Sequence, residues 1–347
     1  MGITKGDLCA FGDGKPGERM SATRQMAVVD ATPARKRAAA PNRLAVMAAF
    51  ASTYLIWGST YLAIRYAVES IPPLYAAGFR HLLAGLLLLG WCLAKRLRPT
   101  WAQLRASAVI GLLFFLFGHG SLHWAETRVP SGLASLLIAI EPIIVFVLSS
   151  LAAREWRVNF SLLAGAFLGL AGVALLLGRS GLASPGMAVG SFAILFGATA
   201  WSAGIIYSRR SKLSGNPLLL SALSLLCGSI MLLAVGTAFG EWRGFHVAAV
   251  TARSWWALGY LIVFGSVITF TAYNWLLEHF SPTLVATHTY VNPIVAVMLG
   301  WWLAGEAVTW SVLLATGIII AAVMLVDRGT TQLHRDPVAG VAPEAVG

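Results

Sequence analysis

Charge is scarce in this chain. Asp, Glu, Lys and Arg make up 11% of its 347 residues, where soluble domains carry about 25%. So few charged side chains cannot cover a water-facing surface, which excludes a soluble globular protein and leaves lipid as the expected surroundings. Acids are the scarcer sign, 14 against 25 basic residues, and the net charge of +11 raises nucleic acid as a partner. The Lys and Arg are not gathered in a patch, however. They lie in the terminal stretches and in short gaps between apolar runs, as in a membrane protein, so no nucleic acid is expected. Cysteine is limited to Cys9, Cys92 and Cys227, without metal-ligand spacing, which argues against a disulfide framework or a zinc site. There is no P-loop and no long polar domain, so ATP does not drive this chain and no cofactor is implied.

Apolar residues are plentiful at 58%. Residues 1–43 stand apart, rich in Gly, Ala, Lys and Arg without an apolar run, and read as a disordered basic cytoplasmic tail. From Leu44 onward, runs approaching the length of about 20 residues needed to cross a bilayer recur. They fall at 44–67, 74–94, 104–123, 130–151, 159–178, 186–208, 217–239, 254–277, 282–304 and 308–327. The expectation is an all-α integral membrane protein of ten transmembrane helices with a cytoplasmic C-terminal tail at 328–347. Placing the N-terminus inside puts Lys95, Arg96, Arg98, Arg105, Arg154, Arg157, Arg209, Arg210, Lys212, Arg328 and Arg335 on the inner side. Only Arg128, Arg179, Arg243 and Arg253 fall outside. This positive-inside bias predicts both termini in the cytoplasm.

The chain also repeats itself. Trp124, Pro142 and Glu155 recur as Trp275, Pro293 and Glu306, each at an offset of 151, and Leu162-Leu163-Ala164 recurs as Leu313-Leu314-Ala315 in the same register. Trp57 and Arg65 are echoed by Trp201 and Arg209. Five spans is an odd number, so the first repeat (44–178) and the second (186–327) enter the membrane in opposite senses. Inverted repeats of this kind place substrate sites near the midplane and expose them to each side in turn.

Several stretches then resemble a known family, the EamA-type branch of the drug/metabolite transporter superfamily. They are Trp57-Gly58-Ser59-Thr60-Tyr61, Phe79-Arg80-His81-Leu82-Leu83-Ala84-Gly85, Val129-Pro130-Ser131-Gly132-Leu133-Ala134 and Phe264-Gly265-Ser266. The most specific is Tyr290-Val291-Asn292-Pro293-Ile294-Val295-Ala296-Val297 with Gly305-Glu306 downstream. Ala153-Arg154-Glu155 departs from the Gly-Glu that the family often has there. The resemblance spans about 44–327. It implies ten helices in two repeats and export of small metabolites, amino acids or drugs, in a multi-pass protein of the bacterial inner membrane; Tyr290 and Asn292 of its most specific stretch are counted among the cavity candidates.

Polar side chains inside the spans are the candidate cavity residues. An ionised Glu141 costs at least ~2.5–3.5 kcal/mol in mid-span. Pro142 after it donates no amide and frees a carbonyl. This notch suits a cation or a proton, or else a protonated Glu141 ties two helices together. Asn292, beside Pro293, is its repeat mate, and His288 lies one turn before it. Arg80 either snorkels to the interface or meets a carboxylate, from the substrate or from Glu141. Trp57 and Tyr61 share one helix face, Trp201 matches Trp57, and Ser266, Thr269 and Tyr273 form a polar strip. Helix packing and interhelical hydrogen bonds compete with cavity lining for each of these groups. His119 and His123 lack the Glu that a zinc hydrolase needs, so no metal is expected. Gly165 with Gly169, and Gly186 with Gly190, permit close helix contacts and leave a homodimer open. The function expected is secondary transport of a small solute across the lipid bilayer, as a uniport, an exchange or a proton-coupled step through Glu141. The alternatives are an intramembrane enzyme, for which no nucleophile set is visible, and a non-transporting scaffold.

Overall fold

The computed structural model describes residues 42–153, 159–176, 184–211, 216–280, 282–285 and 287–335. Residues 1–41, Glu155 of the repeat, residues 336–347, and Arg154, Arg157, Arg179 and Lys212 lie outside them. The described residues are helical, without strands. The main helices are α1 Arg43–Ala67, α2 Pro73–Ala94, α3 Trp101–Ala125, α4 Ser131–Ala152 and α5 Phe160–Leu176. They continue as α6 Pro185–Arg210, α7 Pro217–Ala238, α8 Ala252–Leu276, α9 His288–Ala304 and α10 Trp310–Arg335. Eight of these are long and apolar enough to cross a membrane; α5 and α9 are shorter, at 17 residues each. Leu86, Leu87 and Trp91 of α2, and Phe167 and Leu170 of α5, stand exposed. An apolar exterior on this scale belongs against lipid.

Proline and polar side chains set the helix boundaries. Pro73, Pro185 and Pro217 each occupy the first turn of their helix, where a missing N–H costs nothing. Thr100 and Gln103 form a reciprocal cap on α3, and Asn216 caps α7. Pro142 cannot bond back to Ile138, and α4 breaks at Ala139–Ile140. The Ile143 amide reaches Ile140 instead (2.9 Å). The run expected to be continuous from 282 to 304 divides into a one-turn helix, Pro282–Val285, and α9. The last helix runs on to Arg335, beyond the apolar stretch ending at 327, because Asp327, Arg328 and Gln332 support a helix without being apolar.

The packing pattern ties the first five helices to the second five. α1 lies on α8 and α9, while α6 lies on α3 and α4. α2 packs on α7 and α8, α7 on α2 and α3, α4 on α9, and α5 on α10. Glycine permits the closest approaches. A Cβ on Gly111 of α3 would meet the Gly228 amide nitrogen at 2.7 Å, and one on Gly165 of α5 would meet the Ala322 carbonyl at 2.7 Å. Gly165 and Gly169 therefore serve a contact within the chain.

Polar contacts fasten one end of the bundle. The first amides of a helix have no partner within it and carry its positive pole, and two carboxylates from neighbouring loops satisfy them. Glu241, between α7 and α8, accepts from the Leu74 and Tyr75 amides of α2 at 3.1 and 3.0 Å. Burial pushes the Glu241 carboxyl above its ordinary range, and those two amides pull it back. Glu306, between α9 and α10, accepts from the Ser131 amide (2.7 Å), the Ser131 hydroxyl (2.8 Å) and the Gly132 amide (3.0 Å) of α4. Gly300 leaves the room for this carboxylate, since a Cβ there would overlap it. At the same end Arg65 donates to the Glu126 carbonyl, Tyr66 to the Leu303 carbonyl (2.8 Å) and Ser70 to Ser254 (2.8 Å).

Candidate functional site

A cavity of about 1110 Å³ lies among the helices, above the upper end of the usual range for small-molecule sites. It reaches toward Ser149, Thr330 and Thr331, near the far ends of α4 and α10, away from the Glu241 and Glu306 caps. Trp57, Tyr61, Arg80, Glu141, Trp201, Ser266, Tyr273, His288, Tyr290 and Asn292 all line it, with Pro142 and Pro293. Thr269 does not. It is fully buried and donates to the Phe264 carbonyl of its own helix (2.8 Å).

Local backbone irregularity positions much of this lining. Ser52–Ile56 in α1, Gly111–His119 in α3 and Leu261–Ile268 in α8 are wound as π-helix, a form that concentrates at functional sites. The stretch in α8 turns the Gly265 carbonyl to the Trp57 indole (3.1 Å) and the Ser266 hydroxyl to Arg80 Nε (3.0 Å). The stretch in α3 brings Phe114, Phe115, Gly118 and His119 to the cavity.

Two aromatic clusters flank the space. Trp57 contacts Tyr273 at 5.1 Å between centroids, His288 at 5.0 Å and Phe270 at 6.4 Å. Trp201 stacks on Phe114 at 4.2 Å and on His119 at 5.1 Å. Each cluster thus centres on one member of the Trp57 and Trp201 echo.

The charged groups are unevenly placed. Arg80 is 4% exposed, and its Nη1 has no acceptor among the described residues. Its side chain turns to Ser266 inside the bundle and does not snorkel outward. Glu141 begins the second segment of α4, and its carboxylate makes no ion pair among the described residues. Tyr290 is hydrogen-bonded to Asp327 of α10. Asn292, with its amide nitrogen toward the backbone, donates to the carbonyls of Tyr54 (3.0 Å), His288 and Thr53 (both 3.1 Å). It therefore knits α9 to α1, and His288 bonds the Val285 carbonyl (2.9 Å) without reaching Glu141. His119 and Asp327 are lining residues that pattern reading passed over. His119 sits 2.8 Å from His81, and the π-turn that aims it inward leaves no mark in helical periodicity. Asp327 is the last residue of the tenth apolar run, 308–327, and was not among the candidate cavity residues. Among the described residues no three His, Cys, Asp or Glu groups are placed to hold a metal ion.

A bundle of apolar helices around an internal cavity with a buried cation and a carboxylate defines a polytopic membrane protein built around a solute-sized chamber. Family comparison makes this specific: the chain belongs to the EamA-like transporter family, whose model matches residues 44–178 and 188–327. It is 37% identical over 308 residues to the uncharacterized inner membrane transporter YedA of Escherichia coli (strain K12), covering 86% of this chain and 95% of that protein. It is 25% identical over 283 residues to the uncharacterized transporter YoaV of Bacillus subtilis (strain 168), covering 81% of this chain and 96% of that one. A crystal structure of a protein at 20% identity superposes with a TM-score of 0.58 over 86% of this chain and all of the other, a likeness of fold. The chain is a multi-span inner-membrane protein of a transporter family.

Proposed function

We propose that the chain is a secondary transporter that exports small organic solutes by alternating access, through ten spans arranged as two oppositely inserted five-helix copies, 44–178 and 186–327. The terminal stretches 1–43 and 328–347 are cytoplasmic, and the Glu241 and Glu306 caps close the outer end. The packing pattern carries this reading. Exchanging each helix with the one five places later maps α1 on α8 and α9 onto α6 on α3 and α4. It maps α2 on α8 onto α7 on α3, and returns the pairs α2–α7, α4–α9 and α5–α10 to themselves. A pseudo-twofold arrangement has this property and an unrelated bundle of helices does not. The π-stretches agree with it, since Gly111–His119 moved by 151 nearly overlies Leu261–Ile268.

The cavity between the copies is closed at the Glu306 end and extends toward the other, as one state of an alternating cycle requires. Cavity candidates for the solute are the aromatic faces of Trp57, Tyr61, Trp201, Tyr273 and Tyr290 and the polar groups of Arg80, Glu141, Ser266, His288 and Asn292. Glu141, without an ion-pair partner among the described residues, is the group that takes up a proton. The test is solute flux in proteoliposomes under an imposed pH gradient. Flux in the wild type and loss of its pH dependence in Glu141→Gln is the expected result. Flux that keeps its pH dependence in Glu141→Gln removes proton coupling through this residue, and no flux of any solute removes transport.

A further inference from the structure

The cavity meets a cation that makes no ion pair among the described residues; the buried Glu126 carboxylate attracts it without touching it. Arg80 is anchored by its Nε to Ser266 (3.0 Å), its Nη1 has no acceptor, and no carboxylate forms an ion pair with it among the described residues. The guanidinium lies against Gly265 of α8, its Nη2 at ordinary contact distance, 3.4 Å, from where a Cβ would stand. A guanidinium does not shed its proton, and a buried charge without a partner is among the costliest features a protein keeps. Arg80 lines the cavity, but its Nη1 is covered, so a ligand reaches this nitrogen by displacing a neighbouring side chain.

The surroundings add to the same point. His81, the next residue, is 1% exposed and lies 2.8 Å from His119, with its own Nδ1 unpartnered. One hydrogen sits between the two rings, so a further proton would go to an outer nitrogen and add positive charge beside Arg80. His119 then stacks on Trp201 at 15° between planes, and Trp201 on Phe114 at 21°. A flat apolar wall therefore begins beside the cation.

We propose that Arg80, flanked by the His81–His119 pair, is the docking point for a carboxylate of the transported solute, whose flat apolar part lies along His119 and Trp201. This rests on the transport reading and narrows it to organic anions. A carboxylate fits better than a phosphate ester, because one guanidinium with its Nε already bonded balances one negative charge.

The experiment uses the purified full-length chain in detergent, with thermal unfolding as the readout. Benzoate, phenylacetate and phenylpropionate are each compared with the matching amide, and phenyl phosphate is included as the dianion. At least one carboxylate is expected to raise the melting temperature, with an apparent affinity about ten-fold above its amide and above phenyl phosphate. That preference disappears in Arg80→Gln. Should Arg80→Gln not fold, Arg80→Lys keeps the charge without the planar fork and is expected to weaken the carboxylate by about ten-fold. The proposal is overturned if no carboxylate shifts the transition, if an amide does as well, if phenyl phosphate is preferred, or if the preference survives in the variant that folds. Counterflow in proteoliposomes separates the two levels. Flux of amides that ignores Arg80 sinks the carboxylate site and leaves transport standing. Carboxylate binding lost in the variant, without flux of any solute, does the reverse.

Discussion

Glu306→Gln is the sharpest test of how the cavity is closed. The carboxylate accepts three hydrogen bonds from the start of α4, at 2.7, 2.8 and 3.0 Å. A glutamine keeps one oxygen for Ser131 but turns its NH₂ toward the Gly132 amide, donor against donor. Losing one hydrogen bond to a charged group costs about 1.5–3 kcal/mol, and a further ~0.3–1 kcal/mol of interaction with the helix pole is lost. If the contact forms only while this end is shut, its loss favours the opened form by about ten-fold for each 1.4 kcal/mol. The assay places a cysteine at Ile64, which lines the cavity and is 1% exposed, in a background without Cys9, Cys92 and Cys227. A membrane-impermeant maleimide is then added from the Glu306 side. Labelling should accelerate at least ten-fold in Glu306→Gln. An unchanged labelling rate together with a lower melting temperature would mean that Glu306 is only a helix cap, and the closing role would be refuted.

Glu241 carries a pH signature. Its folded carboxyl titrates above the ordinary value of 4.5, so the folded state holds a proton that the unfolded state has released, and stability falls as pH rises through that window. Thermal melts in detergent should show the wild type losing ground to Glu241→Gln from pH 4.5 upward, and parallel curves would contradict this. Gly111→Ala drives a Cβ into the backbone of α7, where the Gly228 nitrogen is 2.7 Å away and the Ser224 carbonyl 2.8 Å away. Overpacking of this kind costs about 1–3 kcal/mol. Gly259→Ala, whose Cβ meets nothing within 4 Å, should leave the melting temperature level or slightly higher, and equal losses in both variants would discount the close crossing.

The helices were legible where composition alone decides them. Apolar runs of bilayer length placed α2, α6 and α7 to within a few residues, because nothing in those stretches competes with a straight helix. Part of the cavity lining was legible for a different reason: Glu141 and Asn292 are short polar groups that lipid does not tolerate, whereas the longer Arg80 had snorkelling to the interface as its alternative. Backbone geometry was not legible. The π-winding of α3 shifts which residues share a face, so His119, considered only as a metal ligand and set aside, turns into the cavity beside His81. Thr269 failed the opposite way. It shares the spacing of Ser266 and Tyr273, but the π-turn before it directs its hydroxyl to the Phe264 carbonyl. The Glu306 contact joins residues 175 apart, and no local pattern marks a partner at that distance.

Glu141 and Asn292 stand at matching places in the two copies, but their surroundings make them unlike. Asn292 presents its amide nitrogen to three carbonyls, those of Tyr54, His288 and Thr53. Asn292→Asp would set an oxygen against all three, leaving acceptors facing acceptors where two N–H hydrogens had been shared among three carbonyls. At about 1–3 kcal/mol for each buried group left unpaired, the loss should be roughly 3 kcal/mol or more, and the melting temperature should fall by roughly 5–10 °C on the scale of a few degrees per kcal/mol. Protonation gives the aspartate one O–H to donate, so the deficit should shrink as pH is lowered. Glu141 faces no comparable set of carbonyls, so Glu141→Gln should leave the melting temperature nearly unchanged while altering flux. It follows that exchanging the two residues cannot restore function, even though one carboxylate remains in the cavity. An Asn292→Asp protein as stable as the wild type at pH 8 would show that α1 and α9 are held together by something other than this amide.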